Sequence, residues 1–317
     1  FKKVVQEIDA KQVLDPQRRA DVLANLGLAY LGLGEHELAE QQFAAAQKLH
    51  PKLPAAMLGE ARVLTAKGQL DAAMQSVNAL LKANPQMHEG LAVRAGLLRE
   101  LGQLPEAAAD YRKLLQIKPD DVTARANLVM VLIDSNEIPA AKQQVEELRR
   151  RNPLALASNY LYALLAYRDG QYAEAHKYVE IALTGDPAHL PALFLAAATD
   201  YQLQEYQRAE TRLRQVLDKS PLHFAAQKLL MATYLRLGQP NRAAKVLPYV
   251  LRPGLENDAD LAALAGEVFL SNRDFRNADL FFSHAAKLDP DSSDKKTALA
   301  MTRLREGKTE QALSELD

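Results

Sequence analysis

The chain has 317 residues, 48% of them hydrophobic, no cysteine, and a formal net charge of -1 from 39 basic and 40 acidic side chains. The absent thiols exclude a disulfide framework and thiolate metal sites. The balanced charge offers no footprint for nucleic acid or an anionic membrane surface, and no apolar run of about 18 residues is available to cross a bilayer.

Phe1 to Val13 reads as the second helix of an incomplete helix pair, closed by Asp15-Pro16. From there one pattern repeats. A proline recurs every 34 residues, at Pro51, Pro85, Pro119, Pro153, Pro187 and Pro221. An alanine keeps the same step at Ala39, Ala73, Ala107, Ala141, Ala175, Ala209 and Ala243. After one extra residue both series resume at Ala278 and Pro290, and the alanine recurs at Ala312. Between these marks the apolar residues fall at helical spacing on both sides of a short turn, as Leu161, Leu164 and Leu165 before Gly170 and Ala175, Val179 and Ala182 after it. Each period therefore predicts two antiparallel helices, which bury their apolar faces only by stacking on neighbours of the same kind.

The repeats run over 20–53, 54–87, 88–121, 122–155, 156–189, 190–223, 224–258 and 259–292, with a partial ninth from Ser293. The expected organisation is the end of a preceding repeat over 1–19, repeats one to seven over 20–258, and repeat eight with the partial ninth over 259–317, all one continuous solenoid. A start at Phe1 and a stop within a predicted second helix suggest a piece of a longer array.

The turn glycines predict a first helix ending at positive φ, with Asn136 as substitute. Pro105 and Pro139 are placed at the first position of a second helix, where no backbone donor is lost. The residue before each closing proline is driven out of the helical region, which stops the second helix. The recurring alanine is expected where the two helices of a repeat cross.

These features resemble the tetratricopeptide repeat: a small residue in the eighth slot (Gly27, Ala61, Ala95, Ala163, Ala197, Gly266), a bulky one in the eleventh (Tyr30, Leu64, Leu98, Tyr234, Phe269), alanine in the twentieth and proline in the thirty-second. The resemblance implies an all-α right-handed superhelix whose first helices line a concave groove. Within that family, Asn152-Pro153-Leu154 with Tyr162-Ala163-Leu164, Leu190-Pro191-Ala192-Leu193, Leu235-Arg236-Leu237-Gly238 and Leu264-Ala265-Gly266-Glu267 are similar to the periplasmic repeat lipoproteins of PEP-CTERM/exosortase exopolysaccharide systems.

The family's inward slots give the candidate site. They select Asn127 and Met130 in repeat four, Tyr160, Leu164, Tyr167 and Arg168 in repeat five, Phe194 and Tyr201 in repeat six, and Lys228 and Arg236 in repeat seven. The four aromatics beside three cations suit an amphipathic helix or an extended peptide with an acidic group. The alternative for Tyr160 and Phe194 is packing between adjacent repeats. The chaperone carboxylate clamp of some family members is excluded, because Ala24 and Leu28 occupy its first two positions and Lys228 stands alone.

Other polar residues are read structurally. The seven histidines form no His-x-x-x-His pair and are expected in solvated loops. Glu60 and Arg94 share the seventh slot of consecutive repeats and are expected to pair between first helices. Asp200, in a normally apolar slot, needs a Tyr hydroxyl or an Arg as partner. Pro248 inside a second helix, followed by Pro253-Gly254, predicts a bend at repeat seven.

No nucleophile elbow, phosphate loop or metal set is legible. The expected function is a non-catalytic interaction scaffold without cofactor, binding a protein or peptide partner, with exopolysaccharide export or PEP-CTERM sorting as the setting the resemblance implies. The expected partner is a component of the polysaccharide machinery, and the expected location is the periplasm behind a lipid anchor. The alternatives are a cytoplasmic regulatory adaptor and an export scaffold that contacts carbohydrate.

Overall fold

A computed structural model describes residues 15–251 and 257–315. Among these residues eighteen α-helices follow one another with no strand. The predicted helix over Phe1 to Val13 and the Pro253-Gly254 pair lie outside the described residues. Two compact bodies divide the chain between Asn152 and Pro153. The first holds α1 (Pro16–Gly32), α2 (His36–Leu49), α3 (Pro54–Ala66), α4 (Leu70–Ala83), α5 (His88–Glu100), α6 (Leu104–Ile117), α7 (Val122–Asp134) and α8 (Ile138–Arg151). The second holds α9 (Leu156–Arg168), α10 (Tyr172–Gly185), α11 (Leu190–Gln202), α12 (Tyr206–Lys219), α13 (Phe224–Arg236), α14 (Pro240–Val250), α15 (Ala259–Ser271), α16 (Phe275–Leu288), α17 (Ser293–Arg305) and α18 (Thr309–Leu313). Each body is a stack of helical hairpins.

Every hairpin turn is three residues long, and its middle residue is left-handed, at Gly34, Gly68, Gly102, Asn136, Gly170, Gln204, Gly238, Arg273 and Gly307. The Gly170 turn shows why. The Gly170 N–H donates to the Tyr167 carbonyl at 3.0 Å and the Gln171 N–H to the Ala166 carbonyl at 2.8 Å. This pair of bonds satisfies the last carbonyls of α9 only if the residue between them has positive φ. Gln204 and Arg273 adopt that conformation with φ of 62° and 63° despite carrying a Cβ, which costs each about 1–2 kcal/mol.

At the other end of each repeat the residue before proline leaves the helix. His50 has φ -141° and ψ 90°, and Asp186 has φ -145° and ψ 97°. Pro105 and Pro139 fall second, not first, in their helices, which begin at Leu104 and Ile138. The first turn has no intrahelical acceptor for its N–H groups, so proline is tolerated at either place.

The periodic alanines are the tightest points of the core. Ala39, Ala73, Ala107, Ala141, Ala175, Ala209, Ala243 and Ala278 are fully buried. First helices are covered from two sides: α11 buries Leu193, Leu195 and a run of small residues over half its length. Second helices bury one stripe, such as Ala209, Leu213 and Val216 in α12, and leave the rest to water.

Size is matched across several of the crossings. Where the second helix contributes Phe43 or Phe282, the facing first-helix residue is Gly27 or Gly266, and a methyl group on Gly266 would come within 2.9 Å of the Phe282 ring. Where the second helix contributes Val77, Val179 or Leu213, the first helix carries Ala61, Ala163 or Ala197, all fully buried.

Two expectations are corrected. Residues 16–19 belong to α1, not to the end of a preceding repeat, because Asp15 caps that helix by accepting from the Arg18 N–H at 3.0 Å. Glu60 and Arg94 do not pair. Arg94 forms a two-pronged bond to Asp110 of α6 at 2.6 and 2.7 Å, and Glu60 accepts from Gln47 at 2.9 Å. A half-buried guanidinium takes the planar carboxylate whose geometry matches its fork, and Asp110 is itself buried. At repeat seven, α14 contains Pro248 and is 11 residues long where the other complete second helices have 14.

Two outcomes test this packing. Gln204→Gly and Arg273→Gly each relieve left-handed strain and raise stability by about 0.5–1 kcal/mol in urea denaturation; an unchanged or lower midpoint contradicts the strain. Gly266→Ala overpacks against Phe282 and costs about 1–3 kcal/mol, and adding Phe282→Leu recovers part of the loss. A double variant no more stable than Gly266→Ala alone sinks the size-matching account.

Candidate functional site

The second body carries a concave pocket of about 890 Å³. Its walls come from consecutive first helices, α9 and α11 presenting one face at spacing i, i+4, i+7 and α13 the i, i+4 part of it. In α9 these are Tyr160, Leu164 and Tyr167; in α11, Phe194, Ala198 and Tyr201; in α13, Lys228 and Ala232. Residues four and seven apart lie on one helix face, and the 34-residue step carries that face from one hairpin to the next. The replacement of Leu164 by Ala198 and Ala232 leaves the hollow open in the middle. Leu190, Pro191, Phe224, Leu229 and Leu264 complete an almost wholly apolar lining.

The aromatic rings are held from behind, and the supports repeat as well. Tyr160 meets His189 edge-on with ring centres 5.5 Å apart, and Phe194 meets His223 at 4.9 Å. Tyr167 meets Tyr172 edge-on at 5.4 Å, and Tyr201 meets Tyr206 at 5.5 Å. His189 and His223 have a second task. Their Nδ1 atoms accept the Ala192 and Ala226 N–H groups at 3.2 and 3.1 Å, capping α11 and α13. Lone-pair acceptance at Nδ1 puts the proton of the neutral ring on Nε2. Both histidines are partly buried, so the expectation of solvated loop histidines is corrected for them.

In the third hairpin the same relation is ionic. Lys228 stands where the aromatic would be, and Asp258, which caps α15 through the Leu261 N–H, stands where the histidine would be. Lys228 Nζ and Asp258 Oδ2 are 2.8 Å apart. Burial pushes the Asp258 carboxyl up, but the Lys228 and Leu261 hydrogen bonds outweigh it and leave it below the usual aspartate range.

The predicted site residues thus divide. Tyr160, Leu164, Tyr167, Phe194, Tyr201 and Lys228 line the pocket together. Arg236 lines an adjoining hollow that shares Tyr201, Ala232 and Leu264, and its Nε lies 3.4 Å from the Tyr201 hydroxyl. Arg168 sits exposed at the last turn of α9, outside the lining. Asn127 and Met130 are half-buried on α7 of the other body, where Asn127 hydrogen-bonds Tyr111, and neither lines this pocket. The packing alternative for Tyr160 and Phe194 also holds in part, since both touch the core while facing the hollow. His189, His223 and Phe224 escaped the sequence reading. The signal was present: His189 and His223 share the slot directly before a first helix, where Asp121, Asp258 and Ser292 place other cap acceptors.

Stacked helical hairpins with turns and crossings of fixed length, and a hollow lined by first helices, define an α-solenoid of the interaction-module class. Tetratricopeptide repeat patterns match residues 24–88, 58–122 and 98–166. The pattern described as anaphase-promoting complex, cyclosome, subunit 3 matches residues 134–216. The chain thus carries tetratricopeptide repeats over residues 24–166. Its fold is similar to human IFIT1, solved as a dimer with PPP-AAAA, at TM-score 0.63 and 14% identity over 95% of this chain and 84% of that one. It is also similar to Pseudomonas aeruginosa pilF, at TM-score 0.55 and 21% identity over 65% of this chain and 94% of that one. No match was found among curated proteins. Repeats of this family generally serve as protein-interaction scaffolds. Among the described residues no helix is long and apolar enough to cross a membrane.

Behind Tyr201, α11 carries Asp200, which is fully buried. Its Oδ2 lies 2.9 Å from Arg212 Nη1 and its Oδ1 lies 3.2 Å from His176 Nδ1, contacts close in distance but not aligned as hydrogen bonds. Arg212 is shared with Glu180, and Arg208 stands 3.6 Å from Glu180. The expected arginine partner is therefore present, and His176 is a member of this cluster, not a solvated loop residue. Burial pushes the Asp200 carboxyl up, and the pull of Arg212, Arg208 and His176 does not restore it. The folded chain then takes up a proton on Asp200 before the unfolded chain does, so this group's contribution is greatest in acid and is lost as pH rises through the raised value. Relative to Asp200→Asn, the native chain gains stability on acidification from neutral pH towards the ordinary aspartate value of 3.8. Parallel stability-against-pH curves for the two proteins would contradict the raised carboxyl.

Proposed function

We propose that this protein is a non-catalytic scaffold that captures a segment of a partner protein in the concave pocket of its second body. The observation that carries this reading is the pocket itself, with aromatic and aliphatic side chains in ranks from successive first helices. Rigid aromatics offer large contact area at low entropic cost. A sugar ring needs directional donors and acceptors beside its stacking partner, and the lining is nearly all carbon. A protein segment therefore suits it better than a glycan.

The sequence similarity to PEP-CTERM/exosortase repeat lipoproteins supports a setting at the Gram-negative envelope, with the partner a component of exopolysaccharide export or protein sorting. The corresponding location is the periplasm behind a lipid anchor, and a cytoplasmic adaptor is the rival setting. The likeness to pilF extends to the fold alone and does not choose between these settings.

A photo-crosslinking residue at Ala232, compared with one at Leu280 far from the pocket, tests the assignment in cells. The expected result is one identified protein joined at 232 and not at 280. Tyr167→Ala with Tyr201→Ala abolishes that product while leaving the circular dichroism melt nearly intact. A product that persists in the double variant removes the pocket from the function.

A further inference from the structure

We infer that the segment bound in this pocket is apolar followed by basic, with its cationic end lying over α15 and α17; this deepens the groove reading above and rests on it. The sequence alone pointed to an acidic ligand, because Lys228 and Arg236 stand beside the aromatics. The geometry removes that argument. Lys228 is neutralised by Asp258 at 2.8 Å. Arg236 donates its Nε–H to the Tyr201 hydroxyl at 3.4 Å, and its charge is offset by the field of Glu267.

Beyond Tyr201 the pocket continues into a second hollow of about 350 Å³ lined by Asp260, Glu267, Asp294, Arg236 and Lys295. Three carboxylates there face two cations. Lys295 is held by Asp260 at 2.8 Å and also by Asp289 at 2.9 Å, and these two carboxylates keep its ammonium firmly protonated. With Asp289 counted, four acidic groups meet two basic ones. Glu267 and Asp294 are solvent-exposed and stand at the rim. The surface thus runs from carbon at α9 and α11 to a hollow at the start of α17 whose lining has one carboxylate more than it has cations.

The complement of that gradient is a peptide with bulky apolar side chains near Tyr167, Phe194 and Tyr201 and a lysine or arginine reaching Glu267 and Asp294. Neighbouring packed helices are about 8–10 Å apart. An extended segment covers that interval in about three residues, which sets the spacing between its apolar side chains.

The test uses the full chain and a displayed library of random twelve-residue peptides, with enriched sequences resynthesised and their affinities measured by fluorescence anisotropy. The expected peptides carry two bulky apolar residues followed by a basic one. They lose binding to Tyr167→Ala with Tyr201→Ala, and Glu267→Lys with Asp294→Lys weakens them about tenfold while improving variants in which the basic residue is replaced by glutamate. Peptides that need the tyrosines but bind equally well to the charge-reversed protein, or that carry an acidic residue at that place, overturn the charge assignment and leave the groove reading intact. Peptides indifferent to the tyrosines, or no enrichment at all, overturn the groove reading and this inference with it.

Discussion

A pair of short antiparallel helices has two apolar faces and can cover only one of them. Everything in this molecule follows from how the second face is hidden. Each first helix is clasped between its own partner and the second helix of the preceding hairpin, and fully buried alanines mark where the pair cross. At those points the helices approach until only a methyl group fits, so the length of each element and turn is fixed. Fixed lengths make the 34-residue step a mechanical requirement: one additional residue inside an element would rotate its whole apolar stripe by about 100° away from its partner. The single extra residue of repeat seven is instead found near a shortened helix that contains a proline.

The same constraint places the candidate site. First helices are buried on two sides, and the faces that remain are the i, i+4, i+7 ranks that form the hollow. Because each rank is set by the hairpin step, aromatic residues 34 apart come together without any device of their own. Their supports repeat with them, and the supports also cap the next helix. His189 and His223 hold an aromatic ring on one side and a helix N-terminus on the other. The junction between hairpins and the lining of the pocket are built from shared atoms.

The fold was legible because it is periodic. Proline, glycine and alanine act through backbone geometry and close contact, which do not depend on the neighbouring chemistry, so their spacing exposes the hairpins directly. Tyr160, Leu164, Tyr167, Phe194, Tyr201 and Lys228 were legible for the same reason, as a slot in a helix fixes a direction. What resisted was pairing. Arg94 took Asp110 of its own hairpin while Glu60 took Gln47, pairings made by side-chain geometry across helices. Lys228 looked like a free cation because its partner Asp258 lies 30 residues away across an inserted residue. His189 and His223 were read by residue type when their position before a helix was the informative fact. Arg273 adopts the left-handed turn conformation with no glycine or asparagine to announce it.

One consequence lies in the doubled lining. Tyr160 with His189 and Tyr167 with Tyr172 form one rung, and Phe194 with His223 and Tyr201 with Tyr206 form a second rung built to the same plan. A guest that reads only aromatic surface would find two equivalent berths one repeat apart and could slide between them. The ladder ends where Lys228 and Asp258 replace the third ring and its support. That ion pair ends the aromatic ladder and gives the surface a direction.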